Sequence, residues 1–238
     1  MNIQLLYRST QNPGRPADFL RNLRLFGKVW NTATGNVGNS KSNTEEKGIK
    51  TMNITVFLGA NMGDDQMFLF EAKSLGKWIG EKGHKLVYGG SKIGLMGVLA
   101  DAVLEHNGEV IGVEPTFFLE QKMQHERLTQ LIETETIEER RAKMIELGDA
   151  FIAFPGGTGT LGEIAEVISQ KKLGRTEKPA VLLNIEGFYD PLKAMLSKMV
   201  EEGFLDKTDF QKVFFAKNVD SAAWHIEHSL PRQRRSPR

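Results

Sequence analysis

Cysteine is absent from all 238 residues. That excludes disulfides, thiolate metal sites and a cysteine nucleophile, and it fits a reducing compartment such as the cytoplasm. Long apolar runs are absent too. None approaches the ~18 residues a membrane-crossing helix needs, so no membrane partner is expected. The chain as a whole lacks an excess of either charge, at a formal net charge of +1. That balance hides an uneven distribution. Residues 52–230 hold 27 acidic against 19 basic side chains, residues 1–51 hold 8 basic against 3 acidic, and residues 231–238 add four arginines. A central part this acidic is a poor electrostatic match for nucleic acid, and no nucleic-acid partner is expected. The five histidines (His84, His106, His125, His225, His228) show no metal-ligand spacing. His225 and His228, three apart on a helical pattern, read as surface or core-edge side chains, and His125 falls in a loop. No feature demands a metal or an organic cofactor.

Strand and helix patterns alternate from Met52 onward. Strands are expected at Ile54–Leu58, Lys85–Tyr88, Glu109–Val113, Phe151–Phe154, Ala180–Asn184 and Val213–Ala216. Helices are expected near Gln66–Glu81, Leu95–His106, Ile137–Leu147, Leu161–Leu173, Pro191–Glu202 and Ser221–His228. Strands that are apolar almost throughout are buried on both faces, which implies a parallel sheet covered by helices on each side. The fold class is α/β: a single Rossmann-like, doubly wound domain over residues 52–230, with its ligand site beyond the carboxyl ends of the strands. The glycine-rich segments 59–63, 89–97 and 156–162 all fall at such ends. Trp78 and Trp224, at helical spacing, read as core candidates. Ahead of this domain, Ala17–Trp30 has the pattern of a basic amphipathic helix and Asn31–Asn43 that of a linker. Residues 1–51 are read as a basic noncatalytic extension, or as translation from upstream of a start at Met52, with a targeting or membrane-surface segment as the other reading. Residues 231–238 read as a solvated basic tail.

The most informative run is Phe154-Pro155-Gly156-Gly157-Thr158-Gly159-Thr160-Leu161-Gly162-Glu163. A glycine-rich turn between a buried strand and a helix leaves backbone N–H groups unpaired at the positive end of the helix dipole, an anion site suited to phosphate. Thr158 and Thr160 add hydroxyls. Glu163, placed in the first turn of that helix, is a carboxylate beside a bound phosphate. The two repel each other, so its presence points to chemistry. The same run spells G-x-G-x-x-G, and Glu186 follows the next strand where a dinucleotide fold has its ribose-binding acid, so an NAD-dependent oxidoreductase is an alternative from spacing. Upstream lies Glu138-Glu139-Arg140-Arg141-Ala142-Lys143-Met144 on a helix. Its arginines either face the site or belong to a solvated helix surface, with Glu139 and Lys143 as an i,i+4 pair. Phe188 and Tyr189, just past a strand end, read as packing side chains with base stacking as the other role.

These blocks resemble the LONELY GUY family of cytokinin-activating enzymes, also labelled lysine-decarboxylase-like. That family pairs an arginine-bearing helix with P-G-G-x-G-T-x-x-E, which Pro155, Gly156, Gly157, Gly159, Thr160 and Glu163 fill. Its Y-G-G-G-x-x-G-L-M-G block is matched from Tyr88 through Gly90, Ser91 and Met96 to Gly97. Its V-F-x-G-S-S segment is matched more loosely from Val56 through Gly59, Ala60 and Asn61. The chain departs from the pattern at Gly162, where many members carry a second glutamate, and at Ala60, where serine is usual. The resemblance implies hydrolysis of the N-glycosidic bond of a nucleoside 5′-monophosphate, without a cofactor, by a homodimer with residues of both subunits near the site. It implies Glu163 and Arg140 as the catalytic pair. Substrate and phosphate contacts would come from Gly156, Gly157, Thr158, Gly159, Thr160, Arg141, Gly90, Ser91, Gly59, Asn61 and Met96. A noncatalytic nucleotide carrier is the runner-up. A pyridoxal-phosphate decarboxylase needs a presented lysine, and the only lysines near these loops are Lys92 and Lys143.

Overall fold

The computed structural model describes residues 51–229, and the expectations for residues 1–50 and 230–238 lie outside them. One seven-stranded sheet organises this part, all parallel, in the order β4-β3-β2-β1-β5-β6-β7. The strands are β1 (Asn53–Phe57), β2 (Lys85–Tyr88), β3 (Glu109–Pro115), β4 (Gln130–Thr134), β5 (Ala150–Ala153), β6 (Ala180–Leu183) and β7 (Val213–Ala216). The helices among the described residues are α1 (Gln66–Glu81), α2 (Gly94–Glu105), α3 (Thr116–Leu119), α4 (Ile137–Leu147), α5 (Thr158–Lys172), α6 (Asp190–Glu201), α7 (Lys207–Phe210) and α8 (Val219–Ser229).

Alternation along each strand divides the core into two layers. Ile54 and Val56 of β1 pack with α1, α2 and α8 through Leu75, Ile79, Leu99, Val103 and Ile226. Phe57 of the same strand faces the other way, toward Met144 of α4 and Ile164 and Val167 of α5. Thr55 shares that second face and is fully buried, and its hydroxyl donates to the Met144 carbonyl at 2.9 Å. The expected doubly wound sheet is therefore present, with helices on both faces.

Four details differ from the sequence reading. Strand β4 is added at the sheet edge, where Gln130, Leu131 and Glu133 are exposed, so no buried apolar run marks it. Helix α5 begins at Thr158 rather than Leu161: Gly157 is its extended N-cap, and the poor helix formers that follow adopt helical backbone anyway. Glu163 accordingly lies in the second turn and not the first. Trp224 is 62% exposed and stacks on His228 instead of joining the core, while Trp78 packs half-buried against it. Lys143 pairs with Glu146, because Glu139 is engaged at the start of α4. There Thr136 Oγ1 accepts from the Glu139 N–H and Glu139 Oε2 accepts from the Glu135 N–H, a reciprocal cap close to a capping box.

The strand order reverses between β1 and β5. The loops that leave these two strands diverge to opposite faces, and a crevice opens between them. They also touch: a Cβ at Gly59 would lie 3.4 Å from the Gly156 Cα, and one at Gly156 would lie 2.9 Å from the Gly59 N. Glycine is needed at Gly156 for the loops to approach this closely, whereas a Cβ at Gly59 would make an ordinary contact.

Candidate active site

A cavity of about 610 Å³ opens at this crevice. Its walls include Gly59, Ala60 and Asn61 after β1, Leu95 and Met96 at the start of α2, Arg140 and Arg141 on α4, and the segment 155–160 with Gly162 and Glu163. Gly156, Gly157, Thr158, Gly159 and Thr160 all face it. Gly90 and Ser91 do not. Gly90 packs on Glu114, and Ser91 is buried, its hydroxyl accepting from the Ile93 N–H and its backbone bridging to Gln124. Phe68, Phe118, Ile137 and Phe188 form an apolar wall that sequence reasoning left out, apart from the secondary role given to Phe188. Phe118 lies on α3, a single helical turn too short to leave a periodic signal. Phe68 and Phe188 meet edge to face at 6.1 Å. Tyr189 packs as expected: it is 5% exposed, and its hydroxyl donates to the Phe154 carbonyl at 2.8 Å.

The floor holds a buried ion pair. Arg140 and Glu163 belong to different helices, and their side chains are 14% and 9% exposed. Arg140 Nη1 donates to Glu163 Oε1 at 3.1 Å, and Nε donates to the Val113 carbonyl at the end of β3 at 2.9 Å. Its Nη2 rests on Gly89, where any side chain would collide with it. Burial pushes Glu163 above the ordinary carboxylate range, against the pull of Arg140 and Arg141. A carboxyl so placed takes up a proton more readily than an exposed one, which suits an acid–base residue. Arg141 stands nearer the rim, 3.6 Å from Glu138 and 4.0 Å from Glu166, and a Cβ at Gly162 would lie 3.6 Å from its Nη1.

At the rim, α5 points its N-terminus into the cavity. Gly157 offers no side-chain cap to the first-turn N–H groups, and Gly157, Thr158 and Gly159 are exposed. Thr160 is buried, 3% exposed. Unpaired first-turn N–H groups at the positive helix end have the chemistry that suits an anion, about one helical turn from Glu163.

The alternative chemistries lack their geometry. The third glycine of a dinucleotide fingerprint permits close helix–strand packing, whereas a Cβ at Gly162 meets nothing but the tip of Arg141 and one at Gly159 meets nothing within 4 Å. Lys92 and Lys143, the candidates for a Schiff base, are exposed or half-exposed and paired with Glu126 and Glu146. His125 lies outside the cavity: its Nε2 pairs with Asp101 at 3.1 Å, and its Nδ1 accepts from the Arg127 N–H. Among the described residues no group of histidine and carboxylate side chains is arranged to hold a metal, and no helix is long and apolar enough to cross a membrane.

Comparison with known proteins gives the family and the fold. A family model described as "Possible lysine decarboxylase" matches residues 96–226. A cytokinin riboside 5′-monophosphate phosphoribohydrolase of Rhodococcoides fascians is 40% identical over 170 residues, covering 71% of this chain and 86% of that protein. One from Arabidopsis thaliana is 35% identical over 188 residues, covering 79% and 88%. Among solved structures, a molybdenum cofactor binding protein from Rippkaea orientalis superposes with a TM-score of 0.57 at 23% identity, covering 75% of this chain and 97% of that one. The molybdenum cofactor carrier protein of Chlamydomonas reinhardtii gives 0.57 at 22% identity, covering 76% and 98%. At that identity the likeness is one of fold.

Proposed function

We propose that this chain, which belongs to the family of cytokinin riboside 5′-monophosphate phosphoribohydrolases, hydrolyses the N-glycosidic bond of purine riboside 5′-monophosphates to free base and ribose 5-phosphate. One observation carries the assignment of roles: a buried carboxylate–guanidinium pair, Glu163 and Arg140, lies in the floor of a cavity whose rim is a helix N-terminus built for phosphate.

In this reading the 5′-phosphate sits on the N–H groups of Gly157–Thr160, with Arg141 beside it. The ribose is thereby held over Glu163, and remote binding energy orients the reacting centre. As the base leaves C1′, positive charge builds on the sugar. Ionised Glu163 stabilises it and accepts the proton of the attacking water, whose oxygen bonds to C1′ as the C1′–N bond breaks. That proton then passes through solvent to the departed base, and Glu163 is ionised again. Arg140 is fixed by the Val113 carbonyl and keeps Glu163 ionised and aimed. Because two of its three nitrogens are committed in this way, its chief work is on the carboxylate and not on the departing base. The base lies against Met96, Phe68, Phe118 and Phe188, an apolar wall suited to a purine ring and to an apolar substituent on it.

We read AMP as a substrate alongside its prenylated derivatives, and a cytoplasmic homodimer as the working form. Two exposed apolar side chains support the dimer: Leu173 at 71% and Phe204 at 78%. Release of free base from AMP and from isopentenyladenosine monophosphate, followed chromatographically, tests the activity. Release from neither, at enzyme concentrations that bind AMP, would leave the chain a nucleotide carrier.

A further inference from the structure

Glu114 is the sixth residue of β3 and only 2% exposed, yet its Oε2 meets no hydrogen-bond donor. Thr55, Glu71 and Lys171 are buried too but paired, with the Met144 carbonyl, the Val219 N–H and the Lys178 carbonyl. Among the described residues the other buried side-chain atoms without a partner belong to His84, Gln124 and Arg141. A carboxyl left without a donor loses the hydration of its charge and regains little inside the protein.

Its position links it to the reaction. Glu114 directly follows Val113, whose carbonyl anchors Arg140. It packs on Gly90, where a Cβ would lie 3.3 Å from both Cβ and Oε2 of Glu114, and the neighbouring Gly89 carries the Arg140 Nη2. The Gly89–Gly90 pair just past β2 thus packs on Glu114 at one residue and on the guanidinium that holds Glu163 at the other. The groups around it are few. Tyr88 on β2 is a buried phenol held above its ordinary range, first by burial and then by the charge of Glu114. Glu133, its register partner on β4, is exposed. Asp101 on α2 is committed to His125 and Arg127. Gln124, in the segment between α3 and β4, has a buried Oε1 without a donor of its own. Arg140 is the cation that draws Glu114 down, and burial pushes it up more strongly.

We propose that Glu114 is a positioning residue of the hydrolysis: a second buried carboxyl that shares Arg140 with Glu163, so that the two carboxyls and one guanidinium retain a proton between them in the resting enzyme. With that proton on Glu114, Arg140 is left wholly to Glu163, which is then the ionised partner that faces the sugar. With Glu114 ionised, its charge competes for Arg140 and makes Glu163 harder to ionise. The acidic limb of the reaction thus belongs to the pair and not to Glu163 alone. This rests on the phosphoribohydrolase reading above.

The test is the pH profile of kcat/KM for base release from AMP by the full chain and by Glu114→Gln and Glu114→Leu. In the wild type the retained proton divides between the two carboxyls, so Glu114 is ionised part of the time and keeps part of Glu163 protonated. Both variants remove that charge, one with and one without a polar tip, and move the acidic limb down by about half a unit or more. A merely structural role alters stability or KM and leaves the limb in place. A limb that stays put or moves up in both variants overturns the proposal. Urea unfolding across pH reads the same proton without activity. A carboxyl raised in the folded state burdens stability only above its unfolded pKa, so Glu114→Gln gains unfolding midpoint at pH 7 and loses that gain toward pH 4. If the wild-type chain releases no base, the phosphoribohydrolase reading fails by itself. Unfolding then decides on the shared proton, and a Glu114→Gln gain that is the same at pH 4 and pH 7, or absent from both, overturns it.

Discussion

Replacing Arg140 by alanine removes the one hydrogen-bonding partner that Glu163 has at the cavity floor. With the two side chains 14% and 9% exposed, water replaces little of what is lost. Keeping an unpaired carboxylate there costs on the order of 3–5 kcal/mol. A proton relieves that cost at about 1.4 kcal/mol per pH unit, so Glu163 takes one up. Burial already holds Glu163 above the carboxylate range, and Arg140 pulls it back. Without that pull, the acidic limb of kcat/KM rises by about 1–3 units. Below the new limb the rate falls about tenfold per unit of displacement, and it recovers as the pH is raised. Arg140→Lys keeps the charge but loses the anchoring fork, and it falls between alanine and wild type. The assay is base release from AMP across pH 5 to 9 with Glu163→Gln as the blank. An Arg140→Ala profile lowered equally at every pH, with its limb unmoved, would refute this reasoning and put Arg140 on the departing base instead.

The remaining expectations concern the rim and the surface. The unphosphorylated nucleoside loses kcat as well as affinity, because the phosphate cradle orients the ribose over Glu163; equal turnover of nucleoside and nucleotide contradicts the cradle. Gly159→Ala has free space around its Cβ and sits in the first turn of α5. It raises the melting temperature, with a gain of up to about 1 kcal/mol, while KM for the nucleotide rises because the new methyl group stands where the phosphate approaches. An unchanged KM places the phosphate elsewhere. Light scattering returns twice the chain mass for the wild type and the monomer mass for Phe204→Asp, whereas a wild type at monomer mass ends the dimer proposal.

Six of the seven strands were legible because a strand buried on both faces is apolar throughout, as Ala150–Ala153 and Ala180–Leu183 are. Strand β4 escaped because an edge strand exposed at Gln130, Leu131 and Glu133 carries no such run. The glycine loop could be read as an anion site since its chemistry is local. The meeting of Arg140 with Glu163 could not be read from spacing: it joins residues 23 apart on two helices through the sheet order, and the family resemblance alone brought them together. Phe118 was hidden by the shortness of α3. Trp224 misled because helical spacing shows which residues share a face, not whether that face is covered; it lies one residue past Ala223 on α8 and is exposed. Glu114 did carry a signal, a lone acid within the apolar run Val110–Pro115, and its weight appears only when burial leaves it without a donor.

The central claim is that Glu163 performs the hydrolysis at this cavity. Its most direct test is the single-turnover release of base from isopentenyladenosine monophosphate by the full chain and by Glu163→Gln, with nucleotide binding to each followed by calorimetry. The account predicts binding within a few-fold of wild type and release slowed by roughly a hundredfold or more. A glutamine variant that binds and cleaves at the wild-type rate contradicts it.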